Sequence, residues 1–297
     1  MVAYLFPGQG SQRPGMGRDL LERPWAVGIA ERAEEAAGLP LREYILADPA
    51  ALSSTAIVQP ALLLVEWLAY EALRREGRMP RAAAGHSLGE FAALAACGVL
   101  NWREVLELGA LRGRLMEEAA SRQPGGMVAL VKLPQREAER IAAAAGCWVA
   151  NYNSPRQTVL SGPQKALERA AELAKEAGGR AIPLKVSGPF HSPALREAEA
   201  ALERRLGKME FRAPACVFVS SVSGRPESDP EVIRALVSRQ MSSPVRWTEV
   251  LHSLAELGIR EAWEVGPGDV LSGLGKRTLT GIRFLTFKEV IGDGRGA

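Results

Sequence analysis

Ser87 is the residue whose setting points most directly to chemistry. It sits at the centre of Gly85-His86-Ser87-Leu88-Gly89, which fits the G-x-S-x-G pattern of a nucleophile elbow. In such an elbow a strand turns sharply into a helix. The serine oxygen then stands exposed at the C-terminal edge of the sheet, and the glycines keep side chains out of the turn. The helix start supplies free N–H groups and a favourable dipole for a developing oxyanion, with the Leu88 N–H as the natural first donor. A serine so placed can carry an acyl group as a covalent ester. The pentapeptide alone would equally describe a tight turn with an inert serine, so a base must be found. The chain has three histidines. His86 adjoins Ser87, and in a sharp elbow its side chain points away. His252 falls in a helical segment, on its surface or half-buried. His191 lies in Ser187-Gly188-Pro189-Phe190-His191-Ser192-Pro193, a loop that glycine and prolines fix just after a strand. Elimination makes His191 the candidate general base. No acidic residue stands where a triad would need one, and a backbone carbonyl could orient the imidazole instead.

These groups need elements to position them. Residues 2–6 read as a buried strand that stops at Pro7-Gly8 and runs into the loop Gly8-Gln9-Gly10-Ser11-Gln12. Residues 59–75 have helical periodicity, with Pro60 suited to a first turn. Residues 81–84 form an alanine-rich strand into the elbow, and residues 88–97 a buried helix. Asn101 is an N-cap for a helix to about residue 120. After Gly125-Gly126 the pattern is strand 127–133, helix 134–145, strands 147–152 and 157–161, helix 163–177, strand 180–186. That βαββαβ order predicts an inserted ferredoxin-like subdomain over residues 125–186. Helix 193–206, strand 216–220, helices 230–240 and 247–257, strand 262–265, a helix to 279 and strand 283–287 follow. The expected fold is α/β. A mostly parallel sheet with helices on both faces is built from residues 1–124 and 187–297, and it carries the site.

Composition narrows the class. The chain has 297 residues, 47% hydrophobic and 24% charged, ordinary for a globular enzyme of one large or two modest domains. No apolar run nears the roughly 20 residues of a membrane span. The first residues lack the basic region of a signal peptide. A cytoplasmic protein with no membrane partner is expected. The net charge of +3 is spread without a basic run, which argues against nucleic acid and leaves room for anionic partners. Cys97, Cys147 and Cys216 are far apart and show no metal-ligand spacing with the histidines. Buried, reduced thiols and no metal are expected.

Taken together the motifs resemble the malonyl-CoA:acyl carrier protein transacylases of bacterial fatty-acid synthesis. The resemblance rests on Phe6-Pro7-Gly8-Gln9-Gly10-Ser11-Gln12, Gly85-His86-Ser87-Leu88-Gly89-Glu90, Arg112-Gly113, Asn151-Tyr152-Asn153-Ser154-Pro155, Gly188-Pro189-Phe190-His191-Ser192, Pro244-Val245-Arg246-Trp247 and Glu264-Val265-Gly266-Pro267-Gly268. It runs nearly the whole length and implies a hydrolase-like body with the ferredoxin-like insertion. It implies that Ser87 attacks a malonyl thioester while His191 takes its proton. The Gln9 and Leu88 backbone N–H groups would form the oxyanion hole. Arg112 would grip the malonate carboxylate with its planar fork. The backbone carbonyl of Arg246 would orient the histidine. The bulk of Phe190 beside His191 would crowd a branched acyl group. Malonyl-CoA and holo acyl carrier protein are then substrates, no cofactor is required, and a monomer is expected. Glu117 stands where glutamine is commoner in the family; it should face away from the carboxylate pocket or pair with an arginine. Three alternatives stay open: a serine hydrolase or thioesterase, a transacylase for another extender unit in polyketide synthesis, and a non-catalytic carrier-binding scaffold.

Overall fold

The computed structural model describes residues 1–48 and 50–292. Its strands, in chain order, are β1 Val2–Phe6, β2 Ala82–Gly85, β3 Gly126–Val131, β4 Trp148–Ser154, β5 Gln157–Gly162, β6 Arg180–Pro183, β7 Val217–Val219, β8 Pro226–Glu227, β9 Glu261–Glu264 and β10 Arg283–Thr286. The larger sheet has the order β10-β9-β1-β2-β7-β8. It is parallel throughout except for β8, which runs antiparallel to β7.

Period-two alternation splits its side chains between two cores. Tyr4 and Phe6 of β1 join Ala83, Phe218 and Trp263 on one face. The helices Thr55–Arg75, Gly89–Ala96 and Trp102–Arg122 pack there. Ala3 and Leu5 join Ala82, Ala84 and Val219 on the other, under the helices Trp247–Glu256 and Val270–Thr278. A parallel sheet buried on both faces explains why its strands lack any polar stripe.

The helix Trp102–Arg122 begins where the sequence indicates. Asn101 accepts from the Glu104 N–H at 3.0 Å, and Glu104 accepts from the Asn101 N–H at 2.9 Å. Such a capping box stabilises a helix start by about 1 kcal/mol. The helix Thr55–Arg75 begins four residues earlier than expected, so Pro60 lies inside it and not in its first turn. Its start is held from outside. Glu117, on Trp102–Arg122, accepts from the Ser54 hydroxyl at 3.0 Å and the Thr55 N–H at 3.2 Å. Glu117 therefore serves a helix end and pairs with no arginine among the described residues. By length and composition Thr55–Arg75 is apolar enough to cross a bilayer, contrary to the sequence reading; 78% of its apolar window is buried inside the protein. A helix apolar all round is what a position between sheet and neighbouring helices demands.

Residues 18–46 carry three further helices, Arg18–Leu21, Val27–Ala37 and Leu41–Leu46. The segment after His191 opens with a 3-10 turn, Pro193–Leu195, before the helix Arg196–Leu206.

The smaller sheet has the order β4-β5-β3-β6, all antiparallel. Its Val128, Leu130 and Leu160 pack under the helices Gln135–Ala145 and Gln164–Glu176. Its opposite face, with Met127, Ala129 and Val159, joins the main core. Val245 ties it to the larger body: the Val245 N–H donates to Ala150 O and the Tyr152 N–H to Val245 O, both at 2.8 Å.

Candidate active site

β1 and β2 are neighbours and end together, with Phe6 opposite Gly85. The two loops that follow them are thereby forced into contact. The His86 N–H donates to Phe6 O at 2.9 Å. A side chain at Gly89 would sit 2.1 Å from Phe6 O, and one at Gly85 would sit 1.9 Å from the Gly89 carbonyl carbon. Only glycines allow the strand, the turn and the helix to approach so closely. Ser87 itself holds φ 52°, the strained conformation of an elbow residue. In the first loop a side chain at Gly8 would meet His86 O at 2.4 Å, whereas Gly10 has open space and is needed for its φ of 110°. Among the described residues neither the Leu88 N–H nor the Gln9 N–H has a protein acceptor. The Gln9 side chain donates to Thr55 Oγ1 at 3.4 Å, and that hydroxyl also contacts Ser187 Oγ at 3.2 Å.

His191 reaches the elbow from the other side. Its Nε2 lies 2.7 Å from Ser87 Oγ. Its Nδ1 faces two carbonyls, Gln240 O at 3.1 Å and Ser243 O at 3.0 Å. Carbonyls only accept, so the proton must sit on Nδ1 and the lone pair on Nε2, toward the serine. Burial, then the nearby Arg112 charge, pull the His191 pKa down to about 3. The imidazole is therefore neutral and ready to accept a proton at any ordinary pH. His191 also holds a positive φ of 55°. The tight turn fixes where its ring points.

Arg246 was expected to supply the orienting carbonyl, and it does not. Its carbonyl accepts from the Val250 N–H at 3.0 Å in the first turn of Trp247–Glu256. Its side chain pairs with Glu249 at 2.8 Å, partly exposed. The orienting carbonyls come from the 3-10 turn Gln240–Ser242 and the residue after it. The Pro-Val-Arg-Trp motif instead ties the body to the smaller sheet through Val245.

Arg112 is 1% exposed. Its guanidinium donates to Ser87 Oγ at 3.0 Å, Gln59 Oε1 at 2.9 Å and Gln240 Oε1 at 3.2 Å. Burial lowers its pKa to about 10, which leaves it cationic at neutral pH. Among the described residues it pairs with no carboxylate.

Gln240 was not singled out from sequence, yet it joins the whole cluster. Its amide donates to Ser87 O at 2.9 Å and to Glu90 Oε2 at 2.5 Å, its side-chain oxygen accepts from Arg112, and its backbone carbonyl holds His191. Glu90 is fully buried and also accepts from the Ser220 hydroxyl and from the Ser221 N–H and hydroxyl. Burial pushes its carboxyl above the ordinary range against these donors. A glutamate inside a small, apolar helix, and Gln59 beside Pro60 in another, were the available signals: buried polar groups need partners.

His86 points away from Ser87 and makes a 2.9 Å bond to Asn153 Oδ1, with its ring edge against Trp247. His252 is exposed on its helix and bonds Thr248 O. Ser87, His191, Arg112 and Gln9 line one cleft, whose apolar walls include Met116, Met127, Val159 and Phe190. A nucleophile, a base, free N–H groups and an unpaired buried cation thus converge. That set suits acyl transfer from an ester or thioester that carries a second, anionic group.

Comparison with known proteins agrees. Residues 3–293 match the acyl transferase domain family. The malonyl CoA-acyl carrier protein transacylase of a Synechocystis strain is 39% identical over 278 residues, covering 93% of each chain. The crystal structure of an acyl carrier protein S-malonyltransferase from Vibrio cholerae superposes with a TM-score of 0.91 at 37% identity, covering 96% of both chains. A malonyl-transacylase solved in complex with a type II polyketide acyl-carrier protein gives 0.90 at 35% identity, covering 96% of this chain and 94% of that one. A serine elbow at the end of a parallel sheet, and a match that spans almost every residue, make this chain a member of the acyl transferase domain family, among the malonyl CoA-acyl carrier protein transacylases.

Proposed function

We propose that the protein moves a malonyl group from malonyl-CoA to the phosphopantetheine thiol of acyl carrier protein, through a malonyl ester on Ser87. The observation that carries this reading is Arg112, a buried cation without a carboxylate, bonded to the serine itself. A malonyl carboxylate would complete its fork with two charge-assisted bonds. His191 takes the Ser87 proton through Nε2 as Oγ attacks the thioester carbonyl. The oxyanion settles between the Leu88 and Gln9 N–H groups. His191 then returns the proton to the departing CoA thiolate. The carrier thiol enters, gives its proton to His191 and attacks the ester, and Ser87 leaves with that proton. Gln240 holds the elbow, Arg112 and His191 in one register and touches no reacting atom. Phe190 fills the wall beside His191 and would exclude a branched acyl group.

Residues 125–186 form a ferredoxin-like subdomain on a hydrolase-like body, a reading supported by the β4-β5-β3-β6 order with both helices on one face. The protein would act as a cytoplasmic monomer that supplies malonyl units to fatty-acid synthesis, and its three free cysteines suit a reducing compartment.

One experiment tests the reaction. The protein is mixed with malonyl-CoA or methylmalonyl-CoA, its intact mass is followed, and holo carrier protein is then added. A malonyl adduct on the Ser87 peptide, absent in Ser87→Ala and discharged to the carrier, is expected. An adduct lost quickly to water with no carrier product would identify a hydrolase. Equal rates for the two esters would remove the role of Phe190.

A further inference from the structure

Two of the three cysteines meet where the mechanism uses neither. Cys97 follows the elbow helix Gly89–Ala96, and Cys216 precedes β7. Their sulfurs are 2.8 Å apart. The backbones around them are already paired: the Ala215 N–H donates to Cys97 O at 2.8 Å and the Arg212 N–H to Val99 O at 3.0 Å. A disulfide needs about 2.05 Å between sulfurs, so closure requires the two sulfurs to approach by less than an ångström. Cys97 is buried, whereas Cys216 is partly open to solvent. The Val217 N–H donates to Arg81 O at 3.1 Å, which places the pair at the end of the sheet opposite Ser87.

The geometry points to Cys97 and Cys216 as a reversible dithiol–disulfide site that staples the elbow helix to β7 under oxidising conditions and leaves acyl transfer intact. A small-molecule disulfide such as oxidised glutathione is the co-reactant. The Cys216 thiolate attacks one of its sulfurs, forms a mixed disulfide and expels one glutathione thiolate. Cys97 gives up its proton to solvent and attacks Cys216 Sγ, expelling the second. Two protein thiols are oxidised by two electrons, and one reagent disulfide is reduced to two thiols. The order of attack follows from the surroundings. Its bond with Cys97, helped by the Arg81 charge, holds the Cys216 thiol below the usual range, and burial raises Cys97. The closed loop between residues 97 and 216 contains Arg112, the whole smaller sheet and His191. A crosslink at its ends would therefore restrain the unfolded chain strongly.

The test uses the full-length protein equilibrated with oxidised glutathione and then quenched. The expected product has lost two hydrogens in mass, yields a peptide joining Cys97 to Cys216, keeps Cys147 free, and reverts with dithiothreitol. Its thermal midpoint should rise by about 5–10 °C, with malonyl transfer within about twofold of the reduced form. Cys216→Ser, at a partly exposed position, should abolish both the crosslink and the rise. A stable glutathione adduct on Cys216, a crosslink through Cys147, three free thiols, or a crosslink without a higher midpoint would each overturn the inference.

Discussion

Arg112 holds a full charge in a nearly dry setting, and its partners are neutral oxygens: two amides and the Ser87 hydroxyl. Glu90 attracts it through space, but among the described residues no carboxylate bonds the fork directly, so the resting site keeps a demand for a bonded counter-ion. The substrate carboxylate meets that demand in the proposed reaction, and selectivity follows from it. Arg112→Lys keeps the charge and loses the planar fork. Each charge-assisted bond is worth about 1.5–3 kcal/mol, so the variant should lose about 10²-fold in kcat/KM for malonyl-CoA. Transfer from acetyl-CoA, which has no carboxylate to grip, should change by less than about tenfold. The measurement is the ratio of the two specificity constants. An equal fall for both esters would mean that Arg112 only supports the elbow.

The elbow is the element on which geometry bears hardest, and glycine substitutions divide sharply there. Gly89→Ala places a methyl group 2.1 Å from Phe6 O and 2.4 Å from Pro7 O, both backbone atoms that cannot swing away. It should lower stability by about 3 kcal/mol or more, read as a fall in the urea midpoint. Gly207→Ala is the contrast. Gly207 has φ −63°, and its nearest contact is 3.5 Å away, so alanine should be neutral or stabilise by up to about 1 kcal/mol. What the sequence made legible divides in a similar way. The elbow, the first strand and the Asn101 cap were readable because residues within a few positions determine them. The start of Thr55–Arg75 was not readable, because Glu117, 62 residues on, holds it. Gln240 was hidden for the same reason: its partners Ser87, Glu90, Arg112 and His191 come from distant segments. Arg246 was misassigned because a motif gives the neighbourhood of a carbonyl and not the turn that aims it.

At the scale of the whole molecule, buried ionisable groups set opposite limits on stability. The His191 pKa is depressed, so as pH falls below about 6.5 the unfolded chain binds a proton that the folded site refuses, and stability drops on the acid side. Glu66 acts on the other side. It is fully buried in Thr55–Arg75, and neither carboxyl oxygen has a partner among the described residues. Burial, then the charge of Glu264, push its pKa well above the ordinary 4.5. Glu264 is committed elsewhere, accepting from the Leu271 and Ser272 N–H groups at the start of Val270–Thr278. A raised folded pKa gives stability that is complete below about pH 4.5 and lost as pH climbs toward the folded value, because the unfolded state sheds its proton first. Glu66→Gln keeps the shape and removes the titration. The thermal midpoint of the variant should match that of the wild type near pH 4.5 and exceed it increasingly from about pH 6 to pH 9. Midpoints measured across that range decide the matter. A constant offset would mean that Glu66 does not titrate, and a variant that grows less stable with rising pH would mean that Glu66 is an anion held by a partner.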